Sequence, residues 1–309
     1  MLKFKVISPF EIYEEIGEVI DRNHLYKYDA ERPGILENVD VFCPNSRSDS
    51  QEYTRFDLFE RVEDDNKADF FVFSIYLELF EYSNSDKIIE CVEYYSLKYP
   101  DRKIIFQWNH DNDYSKHGKH IEKFENVLVN NFGNTTVRHK NDITLPFWNM
   151  NTKFHNQPKT NFCGFIGTIN NQFRKSFVEN IISYNHPDFI HESGLNPEDF
   201  YKRCSSLYFN LCPLGGAGGS GFSYRFFETF HLNSVPVLIV DKLIYPYQDD
   251  INFDEISIVI GQDKISDMNH IHEVLKSHDV ESMLKRIKKV RHKFTLGGVQ
   301  EEVYRRLND

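Results

Sequence analysis

The sequence lacks the features of disulfide-rich, zinc-finger, membrane-spanning and nucleic-acid-binding proteins. Its 309 residues hold five cysteines, which form no CxxC pair and no Cys/His cluster with zinc spacing, so we expect reduced, buried thiols. It has no run of 18 apolar residues and no signal-peptide-like start, which predicts a soluble, cytoplasmic protein without a transmembrane segment. Lysine and arginine number 36 against 47 acidic residues, a net charge of −11. Such an acidic chain is a poor candidate for nucleic-acid binding.

What the chain does have is an alternation of short apolar runs and helical patterns, at a length typical of about two domains. The expected strands are Leu2–Ile7, Val39–Phe42, Asp69–Ile75, Lys103–Trp108, Asn126–Val129, Phe162–Ile166, Phe189–His191, Leu207–Leu211 and Val235–Val240. The expected helices lie near 10–21, 51–62 and 86–98, from about Asn171 to Tyr184, after Asn196, from Ser223, and along a tail opened by Asp279. Strands separated by helices predict parallel sheets.

A polar segment without periodicity, residues 149–160, is the best candidate for a linker. We therefore predict an α/β fold of two Rossmann-like domains, residues 1–155 and 156–309, with a cleft between them.

A glycine-rich loop between a strand and a helix, within residues 208–230, is the most informative passage. Its glycines let the backbone approach a ligand, and free N–H groups at a helix start attract anions. Ser223 can cap the helix, and Arg225 in its first turn can direct a fork of donors at phosphate oxygens. Glu228, one turn later, can accept from ribose hydroxyls. The predicted nucleotide contacts in the loop itself are Gly218, Gly219, Ser220 and Gly221.

A dinucleotide site is a rival interpretation of the same loop. Residues 216–221 match G-x-G-x-x-G, and Asp241 lies 20 positions after the last glycine, where a Rossmann fold binds a ribose. Two details count against an NAD-type oxidoreductase. Pro213 and Leu214 separate the strand from the glycines, and the helix begins only at Ser223.

A second polar loop follows the predicted strand Lys103–Trp108. It contains His110, Asp111 and Asp113, at the carboxyl end of a strand, where α/β sheets place their ligands. A transfer to a hydroxyl group needs a base within hydrogen-bond reach, and these three side chains are the candidates. The second half of the chain has no compact Asp-x-Asp beside a strand that would hold a metal ion.

Several motifs, in order, resemble the exostosin-like glycosyltransferases (glycosyltransferase family 47) over about residues 55–295. Ser223, Arg225 and Glu228 match S-x-R-x-x-E, and Tyr224 lies inside this motif. The other matches are Ala68-Asp69 before an aromatic strand, Asp142 to Pro146, Phe162, Gly164 and Arg174 as F-x-G…R, and Pro236-Val237. Ser74, Phe253 and Asn233-Ser234 depart from the family pattern, and the glycine loop is longer than usual.

The resemblance implies a GT-B architecture, in which the second domain binds a nucleotide sugar and the first binds an acceptor. It implies an inverting, metal-independent enzyme. Our leading interpretation is that its co-substrate is a UDP-sugar and its acceptor an oligosaccharide or glycoconjugate. Arg225, Glu228, Ser223, Tyr224, Arg174 and Gly164 are then donor-site residues. The alternatives are a GDP-sugar fucosyltransferase, the dinucleotide oxidoreductase and a non-catalytic glycan-binding module. The first rests on a faint similarity of the segment from Asn161 to Arg174 to that group.

Overall fold

In a computed structural model, the chain forms two compact units. One comprises Met1–Leu145 together with Leu296–Asp309, and the other comprises Pro146–Thr295. The structure describes residues 1–17, 42, 54–76, 86–108, 115–132, 138–146, 154–214, 223–241 and 244–309. None of the helices in these ranges combines the length and the apolar character that a membrane crossing requires.

The first unit is built on a six-stranded sheet in which every described pairing is parallel. The strands, in chain order, are β1 (Leu2–Ile7), β2 (Phe59–Arg61), β3 (Phe70–Tyr76), β4 (Lys103–Trp108), β5 (Val127–Asn131) and β6 (Asp142–Thr144). Their order across the sheet is β2-β1-β3-β4-β5-β6. The helices are α1 (Pro9–Ile16), α2 (Asp86–Lys98) and α3 (Ser115–Ile121).

The core of this unit forms because α1 and α2 turn their apolar residues to one face of the sheet. Ile12 on α1, and Ile88 and Tyr95 on α2, are buried against strand residues such as Phe73 and Phe106. Burying side chains of this size contributes about 1.5–3 kcal/mol each relative to leaving them exposed.

The second unit contains a five-stranded parallel sheet in the order β11-β10-β9-β7-β8. Its strands are β7 (Asn161–Ile166), β8 (Phe189–Glu192), β9 (Leu207–Pro213), β10 (Val235–Ile239) and β11 (Ile258–Ile260). Its helices are α4 (Gln172–Tyr184), α5 (Pro197–Ser205), α6 (Tyr224–His231), α7 (Met268–Lys276) and α8 (Val280–Val290). The chain order 2-1-3-4-5 is that of a flavodoxin-like doubly wound sheet.

The caps predicted at Asn196 and Asp279 are present, and Asn171 caps a third helix. Asn171, Asn196 and Asp279 each accept a hydrogen bond from a backbone N–H in the first turn, of Arg174, Asp199 and Ser282 respectively. These contacts satisfy donors that a helix start would otherwise leave without a partner.

The prediction of a helix over 51–62 is wrong for its described residues. Residues 54–62 hold a turn and β2, because Phe59–Arg61 pairs with β1 and Leu58 accepts a hydrogen bond from the Leu2 N–H. Pairing of the edge strand β2 with β1 has therefore outweighed the local apolar pattern that predicts a helix. The predicted helix 10–21 ends at Ile16 with Gly17 at φ 81°, a left-handed conformation that terminates helices. The predicted strand Val39–Phe42 lies, except for Phe42, outside the described residues.

The carboxy-terminal helix differs most from expectation. α9 (Leu296–Asn308) belongs to the first unit, whereas the sequence places it with the second domain. Tyr304 packs edge-on against Phe59, and Arg306 donates to the backbone carbonyl of Asp142. The helix therefore covers sheet residues from the opposite end of the chain, a contact that local sequence does not encode.

Candidate functional site

The second sheet has a topological switch point between β7 and β9. β8 lies on one side of β7, and β9, β10 and β11 lie on the other. Doubly wound sheets bind their ligands outside the carboxyl ends of the strands at such a point. β7 ends at Ile166 and is followed by Gly167, and β9 ends at Pro213 and is followed by Leu214. The side chains of Arg174 and Arg225 meet at these two strand ends.

Arg225 comes from the first turn of α6, and its guanidinium lies against Gly167. A Cβ atom at Gly167 would be 2.6 Å from Nη1 and 2.8 Å from Nη2 of Arg225. The guanidinium carbon is 4.7 Å from the centre of the Phe200 ring and 5.5 Å from that of Phe165, within the range of cation–π attraction. Its position is thus fixed by a glycine and two aromatic rings.

The hydrogen-bonding capacity of Arg225 is largely unused. Among the described residues, its buried Nε and Nη1 have no hydrogen-bond partner. Buried donors without partners are rare and costly in folded proteins. Residues 215–222, the loop before α6, include no Asp or Glu. A cation held in this way is arranged to receive an anionic ligand.

Arg174, from α4, supports the same strand ends by donating to neutral acceptors. Nε donates to the Leu214 carbonyl at 3.0 Å, and Nη2 donates to the Pro213 carbonyl at 3.3 Å and to Ser223 Oγ at 3.4 Å. Nη1 donates to Asn170 Oδ1 at 3.0 Å. Burial, and then the positive charge of Arg225, lower the pKa of Arg174. The two guanidiniums therefore form a positive site that an anion such as a diphosphate would neutralise.

The other predicted donor residues take different positions around this site. Ser223 occupies the N-cap position of α6 without a side-chain cap bond, and its hydroxyl accepts from Arg174 instead. Tyr224 is exposed, and Glu228 lies half-buried one turn beyond Arg225. Gly164 lies inside β7, where a Cβ would be 2.6 Å from Ile190 Cγ1 and 2.9 Å from the Ile190 carbonyl oxygen. Close strand packing accounts for this glycine.

Two groups of predicted site residues lie outside the described residues. They are the loop contacts Gly218, Gly219, Ser220 and Gly221, and the base candidates His110, Asp111 and Asp113. Their roles remain predictions.

Three residues that position Arg225 were missed by the sequence analysis: Gly167, Phe165 and Phe200. The signal for Gly167 was present, because a glycine directly after a strand at a switch point permits close approach of a side chain or ligand. Nothing local indicates the two aromatic rings, since Phe200 comes from α5 and meets Arg225 only in the folded unit.

Cys204, near the end of α5, and Cys212, within β9, are buried in the core. Burial raises the pKa of Cys204 and of Cys212 to about 12, so both thiols are protonated at neutral pH and neither is a nucleophile. Asp241, the ribose ligand of the dinucleotide alternative, accepts the backbone N–H of Gln262 at 2.9 Å. This carboxylate therefore already has a hydrogen-bond donor within the protein, in a turn at the edge of the sheet.

Gly167→Ala should lower the rate of a reaction that uses Arg225 by about 10- to 100-fold while leaving the protein folded. The added methyl group requires the Arg225 guanidinium to move, and misplacement of a charged group by about 1 Å can cost 100-fold in rate. The guanidinium can yield because it is the far end of a flexible side chain, but Gly167 has φ 157°, a conformation that alanine rarely adopts, so the melting temperature should also fall. Steady-state kinetics and the melting temperature test this, with Lys175→Ala on α4 as the control. Unchanged kinetics would show that the contact with Gly167 does not position Arg225 for function.

These features define a two-unit α/β protein in which two arginine side chains lie at the switch point of the second sheet. The model of the exostosin GT47 domain matches residues 45–277. The chain belongs to the exostosin GT47 family, which confirms the resemblance drawn from its motifs. The resemblance also implied a GT-B fold, which consists of two Rossmann-like domains. The two α/β units of the structure agree with that expectation.

Individual similarities are more local. Over 91 residues, the chain is 30% identical to "Probable glucuronosyltransferase GUT1" of Oryza sativa subsp. japonica, covering 29% of this chain and 20% of that protein. It is 29% identical to "Probable beta-1,4-xylosyltransferase IRX10" of Arabidopsis thaliana over 91 residues, 29% of this chain and 21% of that one. The matched segments thus span about a fifth of each relative. Among solved structures, the GtfA/B complex aligns with a TM-score of 0.47 and 9% identity over 77% of this chain and 56% of that chain.

Proposed function

We propose that this protein is an inverting, metal-independent glycosyltransferase that moves a sugar from a UDP-sugar to a saccharide hydroxyl. The observation that carries the proposal is the Arg225 guanidinium, buried at the switch point with donors unused in the described structure. Membership of the exostosin GT47 family supports the same class of reaction. The acceptor would be an oligosaccharide or glycoconjugate.

In the proposed reaction, the bond between the anomeric carbon and the diphosphate breaks as the acceptor oxygen attacks from the opposite face. Negative charge develops on the leaving diphosphate, and Arg225 is placed to stabilise it with two donors. Arg174 holds Ser223 and the end of β9 in place and adds positive charge. His110, Asp111 and Asp113 are the candidates for the base that removes the acceptor proton.

Ligand binding measured by thermal shift, followed by a transfer assay, tests this proposal. UDP should raise the melting temperature more than GDP or NAD⁺, because a ligand that binds only the folded state stabilises it. The names of the relatives suggest UDP-glucuronic acid and UDP-xylose as first donors. Mass spectrometry then detects the extended acceptor, and its NMR coupling constants report the anomeric configuration. Stronger stabilisation by GDP, or UDP release without an extended acceptor, would contradict the proposal.

Transfer should survive EDTA and should not increase with added Mg²⁺ or Mn²⁺. Arginine supplies the charge that a metal supplies in other transferases. Initial rates with and without chelator measure this. A reversible loss of activity restored by Mn²⁺ would instead make Asp111 and Asp113 metal ligands.

Glu228→Gln should raise the donor KM by about 10- to 150-fold and leave kcat nearly unchanged. A carboxylate that accepts from a ribose hydroxyl contributes about 1.5–3 kcal/mol, and this contact is equal in the ground and transition states. Steady-state kinetics with varied donor test it, with Glu273→Gln on the exposed face of α7 as the control. A fall in kcat at constant KM would place Glu228 at the reacting carbon.

A further inference from the structure

A cluster of two histidines and an aspartate lies at the amino ends of the strands in the second sheet. His186 and Asp188 precede β8, and His272 comes from α7. One ligand atom of each residue lies within 4.8 Å of the other two. His272 is buried, and the other two are half-exposed, so the cluster has one open side.

The geometry points to a binding site for a transition-metal dication such as Zn²⁺, held by His186, Asp188 and His272. Imidazole nitrogens together with a carboxylate are a donor set that suits Zn²⁺, whereas Mg²⁺ and Ca²⁺ prefer oxygen ligands. Three protein ligands leave the fourth tetrahedral position to water on the open side. This inference is independent of the proposed transferase activity.

The charge of the cluster favours a cation. In the part of the chain that the structure describes, the ion-pair partners of Asp188 are the two imidazoles: His272 Nε2 at 2.8 Å and His186 Nδ1 at 3.8 Å from Oδ2. No described lysine or arginine balances this carboxylate. With both imidazoles neutral, the cluster carries one net negative charge, which a dication would reverse.

The surroundings of the ligands also fit a metal. The Tyr184 hydroxyl lies 3.0 Å from His272 Nδ1, and its oxygen can accept the Nδ1–H that remains when Nε2 binds the metal. Metal-bound histidines almost always donate their second ring nitrogen in this way. The rings of Phe162 and Phe189, at 5.6 and 5.2 Å from that of His272, form an apolar wall.

Metal binding requires one local exchange. His186 Nδ1 accepts the backbone N–H of Asp188 at 3.2 Å. Coordination would replace this hydrogen bond with a metal–nitrogen bond. The ion would then join the turn before β8 to α7, and its effect should be on stability.

Calorimetric titration of the metal-free chain with ZnCl₂ tests the inference. We expect one ion per chain and a higher melting temperature with Zn²⁺ but not with Mg²⁺. His186→Ala, at a half-exposed position that should tolerate truncation, should weaken binding at least tenfold. Tyr184→Phe should weaken it about tenfold, because it removes the acceptor of the Nδ1–H. His270→Ala, an exposed histidine on the same helix, should bind like the wild type.

Cobalt gives a second readout, since Co²⁺ in a tetrahedral site absorbs visible light, and His186→Ala should lose this absorption. Absence of Zn²⁺ binding, or equal binding by wild type and His186→Ala, would overturn the inference. The side chains of Arg174 and Arg225 lie at the carboxyl ends of the strands, whereas this cluster lies at their amino ends. His186→Ala should therefore leave the transfer rate unchanged, and this distinguishes a failure here from a failure of the proposed function.

Discussion

Arg225→Ala should lower kcat/KM by about 100- to 1,000-fold, the largest effect of any single change we predict. The substitution removes the half-buried cation that lies at the switch point against Gly167 and Phe200. If it stabilises the leaving diphosphate, its contribution is greatest when charge develops in the transition state. The melting temperature should change little. The guanidinium has buried donors without partners, and desolvating them costs the folded protein free energy.

Two further variants give this prediction its controls. Arg225→Lys should recover little activity, since an ammonium cannot donate a planar pair of hydrogen bonds. Arg286→Ala removes an exposed arginine whose partner is Glu255, and it should behave like the wild type. Wild-type rates in Arg225→Ala would exclude a role for this residue in phosphate binding.

Acidification from about pH 6.5 to pH 4 should destabilise the protein by up to about 3 kcal/mol through His231 alone. Burial, and then the charge of Arg291, lower the pKa of His231 from 6.5 to about 4. The unfolded state therefore binds a proton in this range that the folded state does not. Stability is lost as the pH falls from the pKa of His231 in the unfolded state to its pKa in the folded state. Above pH 6.5, His231 causes no such loss.

Urea unfolding at several pH values, compared between wild type and His231→Leu, measures this contribution. The variant should lose less stability on acidification, because leucine binds no proton in either state. His270→Ala, which removes an exposed histidine, should retain the wild-type slope. Parallel pH profiles for His231→Leu and wild type would contradict the prediction.

Local signals in the sequence predicted most of the second unit. β7, α4 and the caps at Asn196 and Asp279 follow from an apolar run, helical spacing and N-cap chemistry, each of which acts within a few residues. The position of Arg225 in the first turn of a helix was predicted from equally local signals, namely the preceding glycines and the N-cap candidate Ser223.

Long-range packing explains what the sequence did not predict. The three-residue strands β2 and β11 are too short to show a period, and they exist because a neighbouring strand pairs with them. Phe200 meets Arg225 across 25 positions, and His272 meets Asp188 across 84. A single sequence carries no signal for such pairs until the topology is known.

The return of α9 to the first unit makes the order of synthesis relevant to folding. Residues 146–295 form one continuous segment, so this unit has all of its chain once Thr295 has left the ribosome. The first unit must wait for the last fourteen residues, 296–309, although its sheet begins at Leu2. Until then Phe59 on β2 lacks the Tyr304 ring that packs against it, and exposed apolar side chains promote association between chains. The amino-terminal unit is therefore the one that completes its packing last as the chain is made.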